Sequence, residues 1–223
     1  MTETEGVIKY RLDFSPGPQP QADLRELDTW RSILRELDLI GQRADRYQGY
    51  GYGNISCRDP YTSDQFIISA SQTGSIRRLA GQHYCTVERC DIDGNRVFAH
   101  GAMPPSSEAL THAMIYQTRN SARCVMHVHD KRLWQYGLQR GLPQTARSTE
   151  YGTLQMAREV QALFETSRLP SDGLLFMAGH EDGLLSFGDS IEEAGARMVR
   201  LWVEANLSAK INAKSAKGSK LLP

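Results

Sequence analysis

Between Gly51 and Ala99 the chain breaks every few residues into short β-type runs separated by turn residues, with no helical period long enough to bridge them. Ile55–Arg58, Phe66–Ser71, Tyr84–Cys90 and Arg96–Ala99 are too closely spaced for crossover helices. The turn segment Asp91-Ile-Asp-Gly-Asn95 between the last two is typical of a hairpin. Hairpin-joined strands pair antiparallel, which excludes the regular strand–helix alternation of a parallel doubly wound sheet. Helical periodicity frames this block. Leu27, Trp30, Leu34 and Leu37 form a stripe after Asp23, Ser106 stands at the start of a helix carrying Leu110, Ala113 and Met114, and Leu154–Phe164 forms another. Ser190-Ile-Glu-Glu193 is a capping box opening a last helix that buries Ala194, Met198, Leu201, Trp202 and Ala205. Helices interspersed irregularly among hairpins predict an α/β layered domain around a mixed or antiparallel sheet.

The N-terminal run alternates Ile8, Tyr10, Leu12 and Phe14 with polar neighbours, the period of an edge strand, and Pro16, Pro18 and Pro20 then make a stiff connector. We therefore divide the chain into an N-terminal strand and Pro-rich connector (1–22), a folded domain (23–207) and a flexible Lys/Ser-rich tail (208–223). Twenty-six basic residues balance twenty-six acidic ones, so no net field favours nucleic acid, and no apolar run is long enough to span a bilayer. Four cysteines without a secretory leader read as free thiols in the reducing cytoplasm. Cys85 and Cys90 are an odd number of residues apart on one predicted strand, which assigns them to opposite faces. Cys57 and Cys124 read as buried thiols.

The chemistry concentrates in Cys124-Val-Met-His-Val-His-Asp130. On a strand His127 and His129 project to the same side, about 6.6 Å apart along the chain. Two imidazoles so placed suit one metal ion, and equally suit a hydrogen-bonded pair at a sheet edge. His180, in Gly179-His-Glu-Asp-Gly183 between two apolar strands, is the candidate third ligand; three neutral nitrogens leave one coordination position open. Glu108, in Pro104-Pro-Ser-Ser-Glu108, falls in the first turn of a helix. There it serves either as a helix-dipole carboxylate or as a proton-transferring group beside an anion site. The loops at Gly53-Asn54 and Thr73-Gly74 offer backbone N–H groups and short polar side chains that can cradle a phosphate without lysine.

Taken in order, Gly53-Asn-Ile-Ser56, Gln72-Thr-Gly74, Pro105-Ser-Ser-Glu108, His127-Val-His129, Tyr151-Gly-Thr153 and His180 resemble the class II (metal-dependent) aldolase/adducin family, of the fuculose-phosphate aldolase type. The resemblance spans about Trp30 to Ala205. It implies a three-layer α/β/α sandwich around a mostly antiparallel sheet, commonly in a cytoplasmic homotetramer. His127, His129 and His180 would be the metal ligands, and Glu108 the catalytic acid/base. Asn54, Thr73, Gly74, Ser106 and Ser107 would bind phosphate. The implied activity is a lyase of carbohydrate metabolism that makes or breaks a carbon–carbon bond in a ketose phosphate or similar hydroxy-carbonyl compound through a metal-bound enediolate. The implied metal is Zn2+, with Mn2+, Co2+ or Fe2+ as alternatives. Epimerase, dehydratase or decarboxylase chemistry on the same intermediate is the enzymatic alternative, and a non-catalytic adducin-like interaction module is the rival.

Two departures stand out. Glu181 and Asp182 intervene between the third histidine and Gly183, where a carboxylate could ligate, repel an anion or cap a longer turn. The segment between Pro143 and Tyr151 is shorter than in the aldolases, and neither Tyr136 nor Tyr151 matches the proton-donating tyrosine that the family carries there.

Overall fold

The computed structural model describes residues 6–62 and 64–218, with side chains described through residue 211. The N-terminal strand is β1 (Arg11–Pro16), followed by helix α1 (Arg25–Glu36) and the short pair β2 (Gly41–Gln42) and β3 (Gly51–Tyr52). The hairpin block supplies β4 (Asn54–Arg58), β5 (Phe66–Ser69), β6 (Tyr84–Asp91) and β7 (Arg96–Gly101). Then come α2 (Ala109–Thr118), β8 (Cys124–His129), α3 (Lys131–Gln139), α4 (Leu154–Thr166) and the single turn α5 (Leu169–Asp172). Strands β9 (Leu174–Phe176) and β10 (Gly183–Gly188) and helix α6 (Ile191–Gly218) complete the described chain.

Eight strands form one sheet in the order β1-β7-β6-β5-β4-β8-β10-β9. Every pairing is antiparallel except β1 on β7, so β1 is an edge strand as its alternation predicts. One apolar layer packs α2, α4 and α5 on one face of the sheet, around Leu110, Ile115, Met156 and Val160. A second packs α1, α3 and α6 on the other, around Leu27, Leu34, Leu133, Met198 and Leu201. The result is the three-layer α/β/α sandwich expected. Its central strands β8 and β10 are buried at every residue, which explains why CVMHVH and GLLSFG read as near-continuous apolar runs and not as alternating ones. Helix α2 is buried from Ala109 through Tyr116, so it shows no amphipathic stripe.

Two expectations are corrected. The tail expected from residue 208 is helical through Gly218, because Ala, Lys and Leu are strong helix formers and the repeat AKINAKSAK offers no breaker before that glycine; residues 219–223 lie outside those described. Cys85 and Cys90 share a face. A register shift in the β6–β7 ladder between Val87 and Arg89 inserts one residue and reverses the parity, so both thiols meet the same core layer. Among the described residues no helix is long and apolar enough to cross a membrane.

Candidate metal and anion site

The three histidines arrive from two neighbouring strands. β8 presents His127 and His129 on one side of its C-terminal half, and the turn between β9 and β10 carries His180 back to them. All three are buried. Their ring centroids lie 4.7, 4.8 and 5.6 Å apart, and one donor nitrogen from each falls within 4.8 Å of the others. His127 Nδ1 lies 3.2 Å from the Leu184 carbonyl oxygen, which fixes the hydrogen on Nδ1 and turns the Nε2 lone pair toward the cluster. His129 Nε2 approaches His127 Nε2 at 2.9 Å. Burial pushes the pKa of both well below the usual imidazole value, and neighbouring imidazoles push in the same direction. The rings are therefore neutral at neutral pH, the state a metal requires. Metal–nitrogen bonds of about 2.0–2.1 Å place tetrahedral donor nitrogens about 3.3 Å apart, so this donor set fits a divalent cation.

Neither carboxylate of the His180 loop joins the cluster. Glu181 is exposed and lies 4.0 Å from Lys131 Nζ. Asp182 occupies a left-handed conformation (φ 66°) and accepts a hydrogen bond from Tyr47 Oη at 3.1 Å. Of the three open roles, the longer turn is the one observed. Its backbone carries a structural bond as well, from Asp130 N to the Asp182 carbonyl at 3.0 Å.

The anion-binding candidates converge. Asn54, Thr73, Gly74, Ser106 and Ser107 line one small cavity together with Gly6, Gly51, Gly53 and Gln72. Asn54 is the register partner of His127 across the β4–β8 ladder, which sets this cavity beside the histidines. Two glycines are required by space. Gly53 has φ 72°, and a Cβ there would lie 2.9 Å from the His127 carbonyl oxygen; at Gly74 a Cβ would overlap the Gly41 carbonyl. The Thr73–Arg77 loop is clamped by Arg31 of α1, whose buried guanidinium donates to the carbonyls of Thr73 at 2.9 Å and Ile76 at 3.1 Å. Thr73 Oγ1 is itself committed to the Ala70 carbonyl at 2.8 Å, leaving the loop's backbone as the donor surface.

Glu108 occupies the N-cap position of α2 and is 1% exposed. Its backbone N–H points at Ser106 Oγ (3.3 Å), and Thr111 Oγ1 donates to Oε2 at 2.7 Å. The carboxylate is held in place at the helix start by Thr111 and is not part of the grouped histidines.

Several site residues escaped sequence reasoning. Tyr47 and Tyr52 pack on His129 at 5.0 and 6.1 Å between ring centroids. Arg46 stacks over both tyrosines and donates to the His129 carbonyl at 3.2 Å. Tyr151, quoted in the Tyr151-Gly-Thr153 motif with no role carried over to it, is fully buried with its ring 4.5 Å from that of His180. The tyrosines alternating with glycine in Tyr47-Gln-Gly-Tyr-Gly-Tyr52 were the available signal; aromatic rings in a glycine-rich loop have no core stripe of their own and need a partner elsewhere.

With this geometry in hand, comparison with known proteins gives a direct answer. A family model described as the Class II Aldolase and Adducin N-terminal domain matches residues 43–207. The chain belongs to that family. Among solved structures of the class II aldolase fold, the sugar-phosphate aldolase of Thermotoga maritima superposes with a TM-score of 0.63 at 18% identity, covering 85% of this chain and 94% of that one. An L-fuculose 1-phosphate aldolase gives 0.62 at 21% identity, covering 87% and 89%. At such identities the likeness is one of fold. Methylthioribulose-1-phosphate dehydratase of Leptospira biflexa is 31% identical over 94 residues, which span 39% of this chain and 41% of that protein's length.

Proposed function

We propose that the protein is a divalent-metal-dependent lyase of the aldolase type, acting on a small phosphorylated hydroxy-carbonyl compound. One observation supports this above all: three buried imidazoles from β8 and the His180 turn converge beside a cavity lined by uncharged donors, with a buried carboxylate at the start of α2. His127, His129 and His180 would hold a divalent cation, with Zn2+ the best match for three imidazole nitrogens, and that cation would supply Lewis-acid chemistry. The chain's residues do the rest. The loops carrying Asn54, Thr73, Gly74, Ser106 and Ser107 hold the phosphate through N–H and O–H donors, and that remote binding orients the reacting carbons. Glu108, steadied by Thr111, moves the proton at the reacting end of the substrate.

A second reaction on the same parts is loss of water instead of carbon–carbon cleavage; the identity with a dehydratase over 94 residues favours it specifically. In either case the reading includes a cytoplasmic homo-oligomer, a tetramer by family resemblance. All four cysteines are free, as a reducing compartment leaves them.

Metal content of protein purified without chelator, compared with His127→Ala, separates an enzyme from a scaffold: equal, negligible metal in both overturns the proposal. Incubation with dihydroxyacetone phosphate plus aldehydes, and separately with methylthioribulose 1-phosphate, distinguishes bond formation from dehydration. Failure of both reactions in metal-replete protein removes the catalytic assignment.

A further inference from the structure

Residues 6–10, just before β1, do not lie idle on the surface. Gly6 is part of the lining of the anion cavity, and a Cβ there would fall 2.5 Å from Gln72 Nε2 on the opposite wall. The Val7 N–H donates to Tyr151 Oη at 3.0 Å, although Val7's own side chain is exposed. Lys9 Nζ sits 4.0 Å above the Tyr151 ring and 3.1 Å from Glu150 Oε2. Tyr10 Oη is buried and donates to the Ser106 carbonyl at 2.7 Å. Asn95 Nδ2 then pins the Lys9 carbonyl at 3.2 Å. Four of the five residues from Gly6 to Tyr10 thus touch the two halves of the site: the anion cavity at Gly6 and Ser106, and the histidine cluster through Tyr151, whose ring packs on His180.

None of these five residues lies in 43–207, the stretch that the family model matches. The contacts they make are with positions inside that stretch.

We propose that Gly6–Tyr10 form a strap that completes the substrate site, walling the anion cavity at Gly6 and holding Tyr151 against His180. The proposal rests on the metal and phosphate reading given above. Its physical content is positional. The Tyr151 hydroxyl, on a fully buried residue, accepts the strap's Val7 N–H at 3.0 Å, and losing that bond inside the fold is costly. A cation over the ring adds attraction at a partly desolvated spot. Without the strap the cavity loses a wall and Tyr151 loses its Val7 and Lys9 contacts, so anion retention and the order of the His180 turn decline together. The strap touches no histidine directly, so metal loading persists.

Three proteins test this: the full chain, a variant lacking residues 1–9, and Val7→Pro, which removes the one N–H while leaving β1 and Tyr10 in place. Inorganic phosphate is the probe, titrated calorimetrically into zinc-loaded protein, with bound zinc measured in parallel. The expected result is phosphate affinity weakened about tenfold by the deletion and by a smaller factor in Val7→Pro, with zinc content unchanged. Affinity within about twofold of the full chain in both variants overturns the cavity role. Hydrogen exchange of segments 147–153 and 178–183 is the independent readout. It is expected to accelerate in both variants, and unchanged exchange overturns the positioning role. A full chain that binds neither zinc nor phosphate refutes the functional reading and the cavity role with it, while exchange still decides whether the strap holds Tyr151.

Discussion

Replacing His112 by glutamine should flatten the acid side of the protein's stability profile by a calculable amount. His112 lies on α2, wholly buried, with Nδ1 2.7 Å from Ser56 Oγ, which in turn lies 2.8 Å from Tyr116 Oη. Its Nε2 is buried with no hydrogen-bond partner among the described residues. The tautomer with hydrogen on Nδ1 is the cheaper one, since it leaves a bare acceptor in the core and not an orphaned donor. Burial pushes the pKa down to about 3, whereas an unfolded chain titrates near 6.5. The sign follows from proton counts. Below about pH 6.5 the unfolded state binds a proton that the folded state refuses, so the stabilisation is complete above that value and drains away as the pH falls toward 3. Between pH 7.5 and 5.5 one such group costs about 1.4 kcal/mol.

Urea unfolding in the presence of chelator, at both pH values, measures this in wild type and His112→Gln. The carboxylates and the metal-site histidines are common to the two proteins and cancel in the difference. The variant's deficit at pH 7.5 should therefore shrink by about 1.4 kcal/mol at pH 5.5. Equal deficits at the two pH values would show that His112 ionises freely inside the fold, and the description of a sealed layer between α2 and the sheet would be wrong.

Chelation should lower the melting temperature of metal-loaded protein: a cation at a hundredfold excess over its Kd adds about 2.7 kcal/mol, or roughly 5–11 °C for a chain of this size; an unchanged scan refutes a bound cation in the native state. Gly137→Ala should destabilise by about 1–3 kcal/mol in chemical denaturation, since a Cβ on α3 would overlap the Phe176 ring; a change below about 0.5 kcal/mol would mean α3 rides higher over β9 than described. Burial pushes Cys57, Cys85 and Cys90 up to about 12, and Cys124 in the same direction. A thiol reagent at pH 7.5 should accordingly label native protein slowly and release all four thiols on unfolding; rapid labelling of the native state contradicts the packing.

The layered architecture was legible because hairpin spacing and helix stripes are local signals. The histidines were legible because strand alternation alone aligns His127 with His129. Their meeting with His180 was not, since it depends on β10 folding back beside β8. Tertiary features defeated the sequence elsewhere. The shared face of Cys85 and Cys90 comes from one inserted residue in the β6–β7 ladder, and nothing in Val87-Glu-Arg89 announces it. Sequence reasoning passed over Arg31 of α1, whose burial and grip on the Thr73 loop appear only once the chain is folded. Gly6–Tyr10 read as part of an edge strand; pairing begins only at Arg11, and the preceding residues serve the site instead.

The sheet's two margins are blunt in different ways. At one, β1 ends in Pro16, which offers no N–H. At the other, β9 is only three residues long and already engaged by a neighbouring stretch, with Phe176 N bonded to the Pro143 carbonyl and the Phe176 carbonyl accepting from Thr145 N. At the β9 border this leaves little open ladder on which a stray β-segment could dock. Shortening the 143–145 segment would bare the outer backbone of β9 and open that edge to pairing with another chain.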